Sequence, residues 1–149
     1  MKTFALIAAL LCSAVPPALA LDAGEAKPDL SGADPHWIED KAAHCWVGNP
    51  NPQAGESVSW SGACAGGFAS GPGTVTWYRS GRIEARDVGT YKGGVLSGHG
   101  KITTSNGTSY EGDFPGKGTL TLTDGLKLPA QAIRELGGYS IEQLPADAK

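Results

Sequence analysis

The residues of this chain whose types and spacing best suit chemistry are His36, Asp40 and His44, placed at intervals of four. Imidazole and carboxylate groups are ligands of zinc and copper. On an α-helix such residues lie on neighbouring faces one turn apart, so a helix would bring the three side chains together. No second cluster in the sequence supplies further ligands, and these residue types are ordinary on an exposed helical stripe. We therefore expect no metal here, with a small metal-dependent enzyme using these three residues as the alternative.

Other arrangements of reactive side chains are missing from the sequence. It contains no Ser-His-Asp order, no pair of acids expected to be buried and no phosphate-binding loop. Gly-x-Gly pairs such as Gly98-His99-Gly100 lack the strand–turn–helix context that dinucleotide binding requires. These observations predict a non-catalytic protein without a cofactor.

Two short helices are expected to flank the middle of the chain. Asp34-Pro35 provides an N-cap followed by a proline at the first helical position. Trp37 and Cys45 would then share one side of the first helix. Pro129 starts a second candidate helix that ends at Gly137-Gly138, within a C-terminal segment, 127–149, of helix and tail. We expect the two helices to cap the structure between them.

That middle part carries a repeated glycine pattern. Residues 60–73 recur as 87–100, with glycine at the third, twelfth and fourteenth places of each copy and an apolar residue at the fifth. A contracted third copy runs from Tyr110 through Gly118. Recurrence of this kind indicates a repeat array, which typically presents a binding surface rather than a catalytic cleft.

Each repeat is predicted to be one β-hairpin. Each Gly-x-Gly opens a run that alternates with period two, as half-buried strands do. The runs end at turn signals that include Asn106-Gly107 and Asp124-Gly125, which favour tight hairpin turns. The predicted fold is therefore mainly β, an antiparallel meander with repeats at 57–86, 87–109 and 110–126. Glycine within a strand permits close approach, and we expect the rings at the fifth places to lie over these glycines.

This arrangement resembles the MORN family (membrane occupation and recognition nexus). Tyr110-Glu-Gly-Asp-Phe114 matches the family's Tyr-x-Gly-x-Trp/Phe pattern, and Gly118 to Gly125 matches its Gly-x-Gly-x-apolar continuation. The first copy departs from the pattern with Trp60 for Tyr and Cys64 for the aromatic residue, and the second has Asp87 where Tyr is expected. The resemblance covers about residues 57–126. It implies a hairpin-repeat fold and a binding or scaffolding role.

The N-terminus reads as an export signal. Lys2 precedes an apolar run, and Ala18-Leu19-Ala20 forms a small-x-small cleavage site, which predicts a signal peptide over 1–20. The alternative is a lipoprotein signal acylated at Cys12, although Leu11 stands where a small residue is wanted. We expect export to the periplasm or cell exterior. Residues 21–56 would then hold a flexible N-terminus, the short helix and a cap segment.

Removal of the signal leaves Cys45 and Cys64, which in an exported chain predict one disulfide. Cys64 occupies a fifth place, where Tyr91 and Phe114 stand in the other copies. The bridge would tie the N-terminal segment over the first hairpin. Free thiols are the alternative.

The charge of the chain bears on its partners. A formal net charge of −3 argues against nucleic acid, because phosphate binding needs clustered Lys and Arg. The leading hypothesis is an exported binding or scaffolding module that contacts an envelope protein, a glycan or a lipid headgroup. A membrane-associated adaptor is the alternative that the family name suggests, but no basic amphipathic helix supports it.

Five aromatic residues form a candidate binding face. They are Trp60, Trp77, Tyr91, Tyr110 and Phe114. A single-layer sheet needs its large side chains to bury any apolar surface, so we expect most of them to belong to the core.

Overall fold

The computed structural model describes residues 36–145, and every regular element in that range is a strand. The predicted signal peptide at 1–20, the part of the predicted N-terminal segment that covers residues 21–35 and the last four residues of the tail lie outside this range. The strands are β1 (Trp37–Asp40), β2 (Cys45–Gly48), β3 (Glu56–Trp60), β4 (Ala63–Ala65), β5 (Phe68–Arg79), β6 (Arg82–Lys92), β7 (Val95–Thr104), β8 (Ser109–Phe114), β9 (Gly116–Thr121), β10 (Lys127–Glu135) and β11 (Gly138–Gln143).

The strands from β5 to β9 form the predicted antiparallel meander, and β10 and β11 continue it. Each pairs with the next along the chain, and the turns after β5, β7 and β9 contain the predicted Gly81, Gly107 and Gly125. At the N-terminal end, β5 also pairs with β3 and β4, and with β2 in parallel through Trp46 and Phe68. The prediction of a mainly β fold built from antiparallel hairpins is confirmed.

The predicted N-terminal capping helix is wrong, because residues 37–48 form the β1–β2 hairpin. Asp40, buried at the end of β1, accepts a hydrogen bond from the backbone N–H of Ala42 at 2.9 Å, which stabilises a turn rather than a helix. Its second oxygen accepts from the backbone N–H of Trp60 at 2.8 Å. These bonds fix the hairpin against β3, and His44 completes the turn with a positive φ of 55°.

The predicted C-terminal helix is wrong for a similar reason. Residues 127–135 form β10, which pairs with β9 on one side and β11 on the other. Ala130 and Ala132 are buried two residues apart, which is the period of a strand. Gly137, with φ of 76°, lies in the β10–β11 turn instead of ending a helix. Pairing on both sides overrides the helical propensity of the segment.

A row of glycines crosses the meander. Gly73, Gly89, Gly100, Gly112 and Gly118 lie directly opposite one another on the consecutive strands β5 to β9. We call this set the glycine row. The row leaves a strip without side chains, into which larger side chains of the same sheet fold.

The side chains over the glycine row are Trp60, Leu96 and Tyr110. A β-carbon at Gly118 would lie 2.7 Å from the Tyr110 ring, and one at Gly89 would lie 2.6 Å from Leu96. The prediction that fifth-place rings cover the glycines is therefore wrong, since the rings come from first places. The fifth-place rings pack beside them: Tyr91 lies 4.9 Å from Trp60 and Phe114 lies 5.1 Å from Tyr110.

The disulfide between Cys45 and Cys64 is present and joins β2 to β4, with the two Cα atoms 5.8 Å apart. Cys45 is fully buried in the core. The bridge therefore holds the N-terminal hairpin beside the first long strand, as the sequence predicted. None of the described elements is a helix long and apolar enough to cross a membrane.

Candidate functional site

A buried carboxyl group lies in the middle of the apolar face of the sheet. β6 places Asp87 between Val75 of β5 and Ile102 of β7. Only 8% of Asp87 is exposed. Asp87 stands at the first place of its repeat, where Trp60 and Tyr110 stand in the other copies. The first place is thus aromatic in the first and third copies and acidic in the second copy.

The two oxygens of Asp87 differ in their partners. Trp77 donates its indole N–H to Oδ2 at 2.7 Å, and the hydroxyl of Tyr91 donates to the same oxygen at 3.4 Å. Oδ1 is buried and has no hydrogen-bond partner among residues 36–145. A buried acceptor without a partner is costly, because the desolvation of that atom is not compensated.

Burial governs the protonation of this carboxyl group. It raises the pKa of Asp87 to about 6, against the opposing effect of the hydrogen bonds from Trp77 and Tyr91. The pKa of the Tyr91 hydroxyl is raised well above its ordinary value by its own burial and by the nearby charge of Asp87. Asp87 therefore changes its charge near neutral pH, whereas Tyr91 keeps its proton. Buried acids with such shifts concentrate at functional sites.

A half-open cavity of about 420 Å³ lies beside Asp87. This volume is in the usual range of small-molecule sites, roughly 300–1,000 Å³. Strands β5 to β7 form its floor, with Trp77, Tyr91, Leu96 and Ile102 as the larger apolar side chains.

Opposite this floor, the wall of the cavity comes from both ends of the described chain. Residues 48–51, from the end of β2 onward, line it together with Gly137, Gly138, Tyr139 and Ile141 of the β10–β11 hairpin. Gly48 packs so closely that a β-carbon there would strike the backbone oxygen of Gly137, and Gly138 packs against the ring of Pro50. The cavity therefore exists because the sheet curls until its two ends meet.

The other charged side chains at the cavity form an ion pair or accept hydrogen bonds from amide N–H groups. Arg79 forms an ion pair with Glu84 at 2.7 Å. Glu56 accepts hydrogen bonds from the side chain of Asn49 at 2.9 Å and the backbone N–H of Gln53 at 2.8 Å. With Asp87, the lining has three carboxyl groups and one guanidinium group, an excess of acid.

The structure does not bring His36, Asp40 and His44 together. His36 directly precedes β1 and Asp40 ends it, so the extended backbone between them separates the two residues by about 13 Å. Both oxygens of Asp40 are occupied by backbone N–H groups, and exposed His44 contacts Glu39 at 3.3 Å. No group of three His, Cys, Asp or Glu residues within 36–145 is arranged to hold a metal ion.

The five aromatic residues of the candidate binding face divide into two groups. Trp60, Tyr110 and Phe114 belong to the core and do not line the cavity. Trp77 and Tyr91 line it. Sequence reasoning missed Asp87, although its acidic side chain at an aromatic place was the available signal. It also missed the contribution of β11, which the sequence assigned to the tail.

Comparison of the chain with protein-family profiles, with curated proteins and with solved structures finds no match.

Proposed function

We propose that this protein is a non-catalytic binding module that holds a small organic ligand, or one group of a larger envelope molecule, in the cavity beside Asp87. The observation that carries the proposal is the unpaired Oδ1 of Asp87, buried at a cavity of about 420 Å³. A ligand that donates a hydrogen bond to this atom removes the cost of its burial.

Binding without catalysis fits the groups that line the cavity. Within residues 36–145 they include one buried carboxyl group, one buried phenol that keeps its proton, and rim charges that are paired or hydrogen-bonded. General acid–base chemistry needs a second group placed to exchange a proton with the reacting centre. Holding a ligand needs only the apolar floor and the single acceptor.

We propose further that the module is of the MORN type and is exported. The glycine pattern at 60–73, 87–100 and 110–118 and the antiparallel hairpins it produces support the first point. The Cys45–Cys64 bridge and the signal-like residues 1–20 support the second, since disulfides persist mainly outside the reducing cytosol.

A fragment screen followed by nuclear magnetic resonance tests the binding function. Ligands of the cavity should shift the Trp77 indole resonance and the amide resonances of 48–51 and 137–141. An Ala85→Leu variant places extra atoms in the cavity and should weaken these ligands. Val88→Leu is the matched control, because Val88 lies on the opposite face and is 51% exposed. Equal binding by the two variants, or no fragment at the cavity, would contradict the proposal.

A further inference from the structure

We infer that the ligand of this cavity is an organic cation, in which a protonated primary or secondary amine contacts Oδ1 of Asp87 after a rotation of the carboxyl group turns this atom toward the cavity, and an apolar body lies against Trp77, Leu96 and Ile102. The inference rests on the proposed function, since it assumes that the cavity is a binding site. It adds the chemical class of the ligand.

The first reason is the unequal use of the Asp87 oxygens. Both donors that reach this carboxyl group, Trp77 and Tyr91, go to Oδ2. Oδ1 is left as a buried acceptor. Its complement is a donor, and a charged donor makes the stronger hydrogen bond with a carboxylate. A ligand that offers only acceptors would leave Oδ1 unpaired.

The second reason is the charge of the lining. The basic side chain at the cavity, Arg79, is already paired with Glu84 at 2.7 Å. Glu56, which pairs with Arg79 across β3 and β5, accepts hydrogen bonds from Asn49 and Gln53, which are uncharged donors and leave its negative charge in place. The excess of carboxylates attracts cations and repels anions.

The third reason separates organic cations from metal ions. Hard metal ions require several oxygen ligands, about six to eight for calcium. The floor of the cavity beside Asp87 is instead mainly apolar and aromatic, and no metal-holding group of three side chains occurs in the described range. Aromatic faces attract organic ammonium groups, and the apolar side chains accommodate the rest of such a molecule.

The free acceptor also restricts the kind of ammonium. A quaternary ammonium has no N–H to donate, so it would satisfy the charge of Asp87 but not the hydrogen bond. A primary or secondary amine satisfies both. We therefore expect 2-phenylethylamine to bind more tightly than its trimethylammonium analogue.

Calorimetric titration of the full chain at pH 7.5 tests the inference. The probes are 2-phenylethylamine, hexylamine and tryptamine, compared with the neutral 2-phenylethanol and the anionic 3-phenylpropanoate. The amines should bind at least about tenfold more tightly than the alcohol, the difference expected for a charge-assisted hydrogen bond. The anion should not bind.

Two variants assign the preference to Asp87. Asp87→Asn keeps the shape of the side chain and removes its charge, so the amines should weaken about tenfold while 2-phenylethanol is unaffected. Asp113→Asn removes an exposed acid on β8 of the same sheet and should change neither. In the unmodified protein, the carboxyl carbon resonance of Asp87 should shift when amine is added, which needs no variant.

The outcomes separate this inference from the proposed function. If alcohol and amines bind equally, Asp87→Asn changes nothing and Ala85→Leu weakens both, the cavity is a binding site and the cation inference is wrong. If no amine binds while other fragments shift the cavity resonances, the inference is again wrong. If neither amines nor fragments reach the cavity, both proposals are wrong.

Discussion

The indole N–H of Trp77 donates to Oδ2 of Asp87 at 2.7 Å, joining a half-buried ring on β5 to a buried carboxyl group on β6. The bond turns the other carboxyl oxygen, Oδ1, into an acceptor with no partner in the described part of the chain. One hydrogen bond within the sheet therefore defines the polar point of an otherwise largely apolar cavity.

The burial of Asp87 predicts a pH dependence of stability. Its pKa of about 6 in the folded protein lies above the value of 3.8 for the free side chain. The folded state therefore binds this proton more tightly than the unfolded chain does. The stabilisation that comes from the protonated Asp87 is complete below pH 3.8 and is lost as the pH rises through 6. Asp87→Asn should raise the free energy of unfolding at pH 7.5 by up to about 3 kcal/mol, and change it little at pH 3.5.

Urea denaturation at the two pH values measures this difference. Asp113→Asn, on an exposed side chain, is the control and should show no such pattern. An Asp87→Asn protein that is less stable than the parent at pH 7.5 would mean that the charged carboxylate is needed for folding.

The register of the third hairpin predicts that substitutions at two adjacent residues, Asp113 and Phe114, lower the stability of the protein by very different amounts. Phe114 is 1% exposed, whereas the side chain of Asp113 is 65% exposed on the other face. Phe114→Ala should cost on the order of 3 kcal/mol because it leaves a cavity in the core. Asp113→Ala should cost little. Chemical denaturation compares the two, and similar losses would show that the register differs by one residue.

The close packing over the glycine row predicts that replacing one of its glycines by alanine lowers the stability of the protein. A β-carbon at Gly118 would lie 2.5 Å from the backbone oxygen of Glu111 and 2.7 Å from the Tyr110 ring. Gly118→Ala should therefore destabilise the protein by about 1–3 kcal/mol, as overpacking does. At Gly100 the nearest atoms are at 3.0 Å or more, so Gly100→Ala should cost less. Melting temperatures in the reverse order would argue against tight packing over this strip.

The disulfide predicts a loss of stability when either thiol is removed. Cys64→Ala should cost roughly 3 kcal/mol, because the bridge closes a loop between residues 19 positions apart. Lys101→Ala is the control, since it removes an exposed ion pair with Glu111 and should cost less than about 1 kcal/mol. Thermal unfolding distinguishes them. Alkylation followed by intact mass measurement should label neither Cys45 nor Cys64.

Metal titration checks the alternative at the N-terminal hairpin. Since His36, just before β1, lies far from Asp40 at the end of β1, zinc or copper should bind the protein no more tightly than a His36→Ala/His44→Ala variant. A sub-micromolar site that this double change abolishes would restore the metal-dependent enzyme as the better hypothesis.

The parts of the fold that the sequence predicts are those set by local chemistry. Turns at Gly107 and Gly125 follow from Asn-Gly and Asp-Gly, and the shared face of Tyr110 and Phe114 follows from their even spacing. The prediction of two helices was wrong because contacts with other parts of the chain hold residues 37–48 in a β-hairpin and residues 127–135 in a strand. Trp60 binds the carboxylate of Asp40, and β9 and β11 pair with β10.

The candidate site is harder to predict for a related reason. Asp87 is visible in the sequence as an acid at an aromatic place, but its burial depends on contacts between segments far apart. The cavity needs Gly48 to approach Gly137 and Pro50 to pack on Gly138. No periodicity within one repeat encodes these contacts.

The approach of Gly48 to Gly137 makes the cavity depend on both ends of the described chain. Residues 48–51 and the β10–β11 hairpin both line it, so the enclosure of Asp87 needs β10 and β11 to be docked. We expect a protein shortened before Gly137 to leave this carboxyl group open to solvent. Binding of a ligand at the cavity would then report that the last described hairpin is in place.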